Sequence, residues 1–329
     1  MQIEFPGLFD LQVNGFGGVD FNNPLTTTED VLRTIHAMRA TGVTRFLPTL
    51  ITSSFERFAK CAKTLTQTRH PAIVGIHMEG PYISPEDGAR GAHPRGQVVA
   101  ASIDDFTRRQ DAADGKIKLV TLAPEANGAI RLIEHLVASG IRVAIGHTAA
   151  SPEQIRDAVK AGVTLSTHLG NGCANPLPRH PNLIWEQLAA DDLFASLIVD
   201  GHHLPPATVK AMVRAKTFQR TFLVTDAVAA AGCVPGNYEL NGEPVMLSAD
   251  GRVSQPGKPW LAGSALTLDR AVANTVKFTG LPIKEILPLA SSQPAKYLGV
   301  QTGGWVTADW NAEGNAEEFR LTNLKVTDT

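Results

Sequence analysis

Eight short apolar runs, separated by stretches with helical patterning, constrain the fold of this 329-residue chain more than any other feature. In chain order they lie in GLFDLQVNG, VTRFLPTL, AIVGIHMEG, IKLVTLAP, RVAIGHT, TLSTHLGNG, FASLIVDG and TFLVTDAV. Most are followed by an amphipathic stretch such as TEDVLRTIHAMRATG or SPEQIRDAVKAG, and the second of these starts with a Ser-x-x-Gln capping box. Because parallel strands are buried on both faces, they occur as continuous apolar runs. The pattern therefore predicts an α/β fold, a (β/α)8 TIM-like barrel.

A doubly wound open sheet is the architectural alternative, but eight units and a sequence without Gly-x-Gly-x-x-Gly favour the barrel. Residues 6–300 are predicted to form the barrel domain. A β-hairpin is expected in NYELNGEPVMLSADGRVSQ, after the eighth strand, and the eighth helix in SALTLDRAVANTVKFTG. Residues 301–329, together with residues 1–5, are predicted to form a small, reduced accessory β segment, with a strand pair in the tail.

Composition limits the classes of partner. The formal net charge is -2, from 30 Lys and Arg against 32 Asp and Glu, so no basic excess indicates nucleic-acid binding. The three cysteines, Cys61, Cys173 and Cys233, are widely spaced and fit a reducing compartment. Neither a signal peptide nor a membrane-length apolar window is present in the sequence. We expect a soluble cytoplasmic protein that acts on a small molecule and binds neither nucleic acid nor membrane.

Ionisable residues lie at the ends of five predicted strands. They are Glu79 on strand three, His147 on strand five, His168 on strand six, Asp200, His202 and His203 on strand seven, and Asp226 on strand eight. The C-terminal ends of barrel strands gather around one mouth, where a carboxylate and two imidazoles suit a Zn²⁺-like ion with an open position for water. Asp226 would then move protons to and from that water. Each residue alone has a structural explanation, such as a helix N-cap for Asp, but together they favour a metal site.

Two amides lie close together on the first strand. Period-2 geometry places Gln12 and Asn14 on the same face of the strand. Burying unpaired amides is unfavourable, so we expect polar partners for both side chains at the end of this strand.

A set of motifs then carries a family resemblance. The motifs PGLFDLQVNG, HMEGPYIS, GAHP, IGHT, THLGNG, DGHH, VTDAVAAAG and LAGSALTLD occur in order between about Pro6 and Gly299. They resemble the N-acetylglucosamine-6-phosphate deacetylases of the amidohydrolase superfamily. The resemblance implies hydrolysis of N-acetyl-D-glucosamine 6-phosphate to glucosamine 6-phosphate and acetate in amino-sugar catabolism. It also implies a homodimer and one divalent metal ion per chain, with Zn²⁺ expected and Fe²⁺ or another divalent ion as alternatives.

The matching motifs imply residue roles. Glu79, His147 and His168 would be the metal ligands, Asp226 the catalytic acid and base, and His93 the residue that stabilises the oxyanion. The implied substrate-binding residues are Ala92, Asn171, Gly172, Arg179, Asp200, His203, Leu261, Ala262 and Gly263. Among them, Arg179 would bind the sugar phosphate, often from the neighbouring subunit in this family, because a guanidinium suits bidentate phosphate binding.

The resemblance also explains the two amides of strand one. Many amidohydrolases have His-x-His at this position, where it holds a second metal, whereas this chain has Gln12-Val13-Asn14. Amides are poor ligands for such ions compared with imidazole. We therefore expect a single-metal site, with Gln12 and Asn14 as polar groups supporting the residues that do the chemistry.

Three departures from the family pattern lie away from the metal ligands. Gly170-Asn171-Gly172-Cys173 replaces the usual aromatic-Asn-Ala-Met, His180-Pro181 replaces Glu-Pro, and only five residues precede Pro6, where family members have further β-strands. These departures affect the part of the site where the family binds the sugar phosphate, and the contact between subunits. Alternative substrates are therefore the galactosamine 6-phosphate isomer, an unphosphorylated N-acetylhexosamine or another small amide. The alternative from a different class of function is a barrel that binds a sugar without catalysis.

Overall fold

The computed structural model describes residues 1–240, 243–257, 261–312 and 319–328. In chain order the strands are β1 (Gln2–Pro6), β2 (Leu8–Val13), β3 (Gly15–Phe16), β4 (Val19–Asp20), β5 (Val43–Ile51), β6 (Ile76–Glu79), β7 (Ile117–Leu122), β8 (Arg142–Ile145), β9 (Leu165–Ser166), β10 (Phe194–Ile198), β11 (Thr221–Val224), β12 (Gly236–Leu240), β13 (Glu243–Leu247), β14 (Val253–Ser254), β15 (Trp305–Asn311) and β16 (Arg320–Thr327). The helices are α1 (Thr28–Arg39), α2 (Phe55–Gln67), α3 (Ile103–Ala112), α4 (Ala129–Ala138), α5 (Pro152–Lys160), α6 (Leu183–Ala189), α7 (Pro206–Lys216), α8 (Leu268–Thr279), α9 (Ile283–Ile286) and α10 (Ser292–Leu298).

Eight of these strands form the central parallel sheet, in the order β2-β5-β6-β7-β8-β9-β10-β11. The two edge strands meet just beyond their C-terminal ends, where Val13 and Ala227 form a parallel bridge. Two backbone hydrogen bonds join the same segments: Asp226 N–H donates to the carbonyl of Gln12 (3.0 Å), and Asn14 N–H donates to that of Ala227 (2.8 Å). The sheet therefore closes on itself, and the predicted (β/α)8 barrel is confirmed. Each of the eight predicted runs contains one barrel strand, the sixth being only Leu165–Ser166.

Helices α1 to α8 follow the barrel strands in turn and surround the sheet. The predicted capping box of α5 is present, because Ser151 accepts from the Gln154 backbone and the Gln154 side chain accepts from the Ser151 backbone. Helix α3, which was not among the predicted helices, follows β6 and buries Phe106. None of the helices in the described part of the chain has the length and apolar character needed to cross a membrane.

The accessory β segment is a three-stranded antiparallel sheet, with β1 and β16 on either side of β15. The predicted strand pair of the tail thus gains a third strand, because Gln2–Pro6 pairs antiparallel with residues 305–309 of β15. Phe5, Val306, Trp310 and Leu321 belong to the same hydrophobic core as the barrel. Since one core serves both parts, the domain boundary near residue 300 stays a prediction.

The predicted hairpin after the eighth strand is also present, as the antiparallel sheet β12-β13-β14. Residues 241–242, which the hairpin prediction also covers, lie outside the described residues, as do residues 313–318 of the predicted tail. The hairpin has a small core of its own, which includes Val245, Leu247 and Val253 and reaches Val228, just after barrel strand β11. This packing places the hairpin beside the mouth of the barrel.

Candidate active site

Three of the polar residues at the barrel mouth share an unusual backbone conformation. His147, His168 and Asp226 each lie two residues beyond a barrel strand, and their φ angles are +51°, +33° and +49°. Non-glycine residues with positive φ are uncommon, and such conformations persist where the surrounding structure enforces them. The repeated conformation turns the chain sharply after each strand, and all three side chains contribute to one cluster at the mouth.

Glu79, at the end of β6, meets His147 and His168 in a nearly equilateral triangle of ligand atoms. Oε1 of Glu79 lies 3.2 Å from Nε2 of His147 and 3.0 Å from Nε2 of His168, and the two nitrogens are 3.1 Å apart. All three residues are buried. Burial opposes ionisation of Glu79, but the two imidazoles outweigh it and hold the pKa of this carboxyl well below its usual range. The glutamate is thus in the ionised form that metal binding requires.

The triangle fits a single divalent cation. Tetrahedral bonds of about 2.0–2.1 Å place neighbouring ligand atoms about 3.3 Å apart, close to the separations observed here. One carboxylate oxygen and two imidazole nitrogens form a donor set that Zn²⁺ and similar ions accept. The other ring nitrogen of His147 is also held, because Nδ1 lies 3.1 Å from the carbonyl oxygen of Ala89. A ligating histidine ordinarily donates from its second nitrogen in this way.

The side-chain amides of Gln12, in β2, and Asn14, directly after it, both have carboxylate partners. Gln12 donates from Nε2 to Oε1 of Glu79 over 2.8 Å, and Asn14 donates from Nδ2 to Oδ1 of Asp226 over 2.7 Å. Both amide nitrogens thus have polar partners, and both bonds lead to the mouth of the barrel; the supporting role of the two residues stays a prediction. Each amide nitrogen donates to a carboxylate, so the pair is placed to support the neighbouring acidic residues.

Asp226 has the electrostatic environment of a group that exchanges protons. Burial, and after it the nearby negative charge of Glu79, raise the pKa of this carboxyl to about 6, against the opposing effects of His168, His203 and Asn14. A divalent cation beside Glu79 opposes this rise, because it favours the ionised form. A carboxyl whose pKa lies near neutrality both accepts and donates a proton readily.

His93 comes from the long loop between β6 and α3, and its ring packs against that of His147, with centroids 4.1 Å apart. Its Nδ1 lies 2.7 Å from the hydroxyl of Thr52, and its Nε2 lies 3.8 Å from Oε2 of Glu79. Burial, and then the neighbouring His147, lower the pKa of His93 well below its usual range. The ring is therefore neutral and lies directly beside the metal-binding triangle.

Asp200 is engaged within its own turn. Its Oδ1 accepts from the backbone N–H groups of His202 and His203 (2.8 Å each), and its Oδ2 lies 2.6 Å from Nδ1 of His203. Burial opposes ionisation of Asp200, but the bonds from His203 outweigh it and lower the pKa of the carboxyl. These contacts favour a role in orienting the His203 ring. Direct contact between Asp200 and a sugar stays a prediction.

Asn171 and Gly172 lie on the turn after β9, against His147 and His168. The Asn171 backbone N–H and side-chain nitrogen both donate to the carbonyl of His168, at 2.9 and 3.2 Å. A Cβ at Gly172 would lie only 2.8 Å from Nδ1 of His147, and the φ angle of +53° also favours glycine. The glycine in the Gly170–Cys173 segment thus lets the loop approach the His147 ring closely.

The remaining predicted substrate residues lie in connections that follow barrel strands. Ala92 is exposed next to His93, and Arg179 is exposed on the Pro-rich loop before α6, without an ion pair to any described residue. Leu261 and Ala262 pair with the hairpin, where the Ala262 N–H already donates to Val253. Gly263, with a φ angle of +87°, packs against Val228 after β11. The contacts of these residues with substrate stay predictions.

Sequence reasoning missed Thr52 and Asp10. Thr52 directly follows β5 and bonds to His93, and the rule that polar residues at strand ends face the mouth would have identified it. Asp10 is a buried acid on β2 whose oxygens accept from Thr225 and the Gln12 backbone. Burial raises the pKa of Asp10 to about 7, and the alternation that places Gln12 and Asn14 on one face of the strand would have marked this residue too.

Comparisons with known proteins agree with this geometry. The profile of the amidohydrolase family matches residues 3–312. The N-acetylgalactosamine-6-phosphate deacetylase of Escherichia coli O157:H7 is 34% identical over 90% of this chain and 78% of its own length. The human N-acetylglucosamine-6-phosphate deacetylase is 35% identical over 94% of this chain and 78% of its own.

A solved structure shows the same similarity in three dimensions. It is a mutant N-acetyl-D-glucosamine-6-phosphate deacetylase from Mycobacterium smegmatis, in complex with N-acetyl-D-glucosamine 6-phosphate. It superposes with a TM-score of 0.88 at 30% identity and covers 99% of this chain and 86% of its own. The chain therefore belongs to the amidohydrolase family, in the group that contains the N-acetylhexosamine-6-phosphate deacetylases.

Proposed function

We propose that the protein hydrolyses N-acetyl-D-glucosamine 6-phosphate to glucosamine 6-phosphate and acetate in amino-sugar catabolism. One observation carries the chemical part of the proposal: Gln12 and Asn14 hold Glu79 and Asp226, so a proton-exchanging carboxylate lies beside a metal-binding one. Amide hydrolysis needs both groups, one to hold the cation and one to move the proton. The similarity to deacetylases over most of the chain supports the choice of substrate.

In this proposal Glu79, His147 and His168 hold one divalent ion, which the donor set suggests is Zn²⁺, with Fe²⁺ or another divalent ion as the alternative. Such an ion supplies Lewis acidity, which lowers the pKa of water toward ~7 and polarises a carbonyl group. Gln12 keeps Oε1 of Glu79 directed at the ion, and the Ala89 carbonyl fixes the ring of His147.

The proton passes through Asp226. Because Asn14 occupies Oδ1, Oδ2 is the oxygen that takes a proton from the attacking water as the oxygen adds to the acetyl carbonyl. His93 donates a hydrogen bond to the carbonyl oxygen as negative charge develops on it. Asp226 then delivers its proton to the amide nitrogen, and the carbon–nitrogen bond breaks to give acetate and the free amine. Without that proton the amine is a poor leaving group.

The sugar and phosphate of the substrate would be bound by residues in the loops after the barrel strands. We propose that His203, held by Asp200, contacts the sugar, and that the exposed Arg179 binds the 6-phosphate, acting across the interface of a homodimer. Trp185, 55% exposed, lies on α6 next to this loop, with its ring 6.3 Å from that of His180, and offers apolar area for a subunit contact. The three free cysteines are consistent with the cytoplasmic location that we propose.

The test is acetate release by metal-loaded enzyme from N-acetylglucosamine 6-phosphate, N-acetylgalactosamine 6-phosphate and unphosphorylated N-acetylglucosamine. We expect kcat/KM to be highest for the glucosamine 6-phosphate substrate. The galactosamine isomer is the second candidate, because the Escherichia coli relative carries that name and the Gly170–Cys173 segment departs from the family pattern. Release from none of the three substrates would overturn the proposal.

A further inference from the structure

Thr52 is the first residue after β5, and its hydroxyl lies 2.7 Å from Nδ1 of His93. Thr52 is fully buried and His93 is almost so. His93 itself lies in a loop of more than twenty residues between β6 and α3, where no strand holds its ring in place. The hydroxyl of Thr52 and the ring of His147 are therefore the contacts that fix the ring of His93.

The direction of this hydrogen bond decides the chemistry of His93. A neutral imidazole has one N–H and one nitrogen lone pair, so a bond that fixes one nitrogen also fixes the other. If Thr52 donates to Nδ1, the proton of His93 is on Nε2, the nitrogen nearer the metal-binding triangle. If His93 donates from Nδ1, Nε2 is left with a lone pair, which repels the oxygen of a carbonyl group.

Distances favour the first direction. The other polar neighbour of the Thr52 hydroxyl is the backbone carbonyl of Glu79, at 3.5 Å, which is the outer limit of a hydrogen bond. If His93 donated instead, the hydroxyl proton would have only this distant carbonyl as an acceptor among the described residues, so the 2.7 Å contact favours Thr52 donating to Nδ1. Gly80 makes room for this arrangement, because a Cβ there would lie 2.1 Å from Oγ1 of Thr52.

We propose that Thr52 is a positioning residue for deacetylation: its hydroxyl donates to Nδ1 of His93 and keeps His93 in the tautomer that carries its proton on Nε2. That proton is the one that binds the carbonyl oxygen of the acetyl group as charge develops on it. The inference rests on the proposed function for its catalytic consequence, but the tautomer itself is a property of the protein without substrate.

The first test reads the tautomer directly. Enzyme loaded with Zn²⁺ and labelled with ¹⁵N-histidine is studied by NMR, and a His93→Gln spectrum assigns the signals of His93. We expect Nδ1 to have the chemical shift of an unprotonated ring nitrogen and Nε2 that of a protonated one. The opposite assignment, or two protonated nitrogens, overturns the proposal. This readout does not depend on turnover, so it remains valid if the proposed function fails.

The second test compares Thr52→Val, which removes the hydroxyl at nearly constant size, with Thr52→Ser, which keeps it. We expect Thr52→Val to lose about 10–100-fold in kcat with little change in KM, as for other residues that orient a catalytic group, and Thr52→Ser to retain most of the turnover. Metal content and thermal midpoint of both variants report whether the barrel is intact. Wild-type kcat in Thr52→Val, or equal losses in both variants, overturns the catalytic part of the proposal. Absence of turnover in the wild type instead overturns the proposed function.

Discussion

Asn14 donates a hydrogen bond to Oδ1 of Asp226 over 2.7 Å, across the seam where the first and last barrel strands meet. The backbone of Asp226 is bound to the same segment, because its N–H donates to the carbonyl of Gln12. Side chain and backbone of the proposed proton carrier are thus both fixed to strand β2 and the residue after it. The closure of the barrel therefore determines the orientation of Oδ2.

Asp226→Asn should abolish turnover while preserving binding. An amide keeps the shape of the side chain but cannot take and return a proton, so we expect a loss of kcat of roughly 10²-fold or more. Metal content and substrate affinity, measured by elemental analysis and calorimetry, should remain close to wild type. Near-normal turnover in a folded, metal-loaded variant would remove Asp226 from this role.

Gln12→Met should weaken metal binding. The substitution keeps the length of the side chain but removes the donor to Oε1 of Glu79, so the ligand oxygen loses the group that orients it. Loss of such a supporting group typically lowers metal affinity or activity about 10–100-fold. Competition with a chromogenic chelator measures the affinity without reference to turnover.

Gln187→Met is the matched control for this experiment. Gln187 is also buried, but it donates to the carbonyl of Leu183 within α6. Its loss should leave the metal affinity unchanged. Equal affinities in wild type and Gln12→Met would show that the bond to Glu79 has no part in holding the ion.

Metal stoichiometry should be one ion per chain. Gln12 and Asn14 offer amide oxygens where a second ion would need imidazoles, and amides are the poorer ligands for such ions. Elemental analysis of purified, active enzyme after dialysis should give a ratio near one. Two tightly held ions per active chain would contradict the prediction.

Much of the site was predictable because a barrel brings strand ends together whatever the intervening sequence. Glu79, His147, His168 and Asp226 were identified by their places after apolar runs, and Gln12 and Asn14 by alternation along one strand. The same logic would have found Thr52. Local periodicity carries this information, since it depends only on which residues share a face.

Other features were not predictable, because they depend on contacts between distant segments. The positive φ angles of His147, His168 and Asp226 are enforced by the turns around them, and nothing in their residue types indicates them. The third strand of the accessory sheet needs residues 2–6 to pair with residues 305–309 across the whole chain. The hydrogen-bond partner of Asp200 was not predictable either, because a carboxylate can accept from a sugar hydroxyl as well as from His203.

Asp10→Asn should change how stability depends on pH. Asp10 is buried and burial raises its pKa from 3.8 to about 7, so the folded protein binds a proton that the unfolded chain releases over this range. Stability therefore falls as pH rises through this range and is constant above pH ~7. From pH 5 to pH 8 the ionisation of this carboxyl lowers the unfolding free energy of the wild type by about 3 kcal/mol, at ~1.36 kcal/mol per pH unit below its pKa. The amide of Asp10→Asn does not ionise, so the variant has no such loss.

Denaturant unfolding of wild type and Asp10→Asn at pH 5 and pH 8 measures this difference. The stability of the variant relative to wild type should be greater at pH 8 than at pH 5. A difference between the two proteins that is the same at both pH values would show that Asp10 does not titrate in this range.

Arg179→Ala should discriminate between phosphorylated and unphosphorylated sugars. Arg179 is exposed on the Pro-rich loop before α6 and has no ion pair with a described residue, so its guanidinium is available to a phosphate. We expect the change to reduce kcat/KM for the 6-phosphate substrate by about 1.5–3 kcal/mol, the usual effect of losing a hydrogen bond to a charged group. The rate on the unphosphorylated sugar should stay unchanged, because that substrate offers nothing for the guanidinium to bind.

Arg131→Ala is the matched control, because Arg131 is exposed on α4, away from the loop that carries Arg179. It should leave kcat/KM for both substrates at the wild-type value, which separates a specific contact from the general loss of one positive charge. A salt titration adds a second criterion, because a direct guanidinium–phosphate contact keeps more of its effect at high ionic strength than long-range attraction does. If Arg179→Ala slows both substrates equally, or if the wild type does not prefer the phosphorylated sugar, Arg179 does not bind the phosphate. An unphosphorylated N-acetylhexosamine or another small amide would then be the better assignment for this barrel.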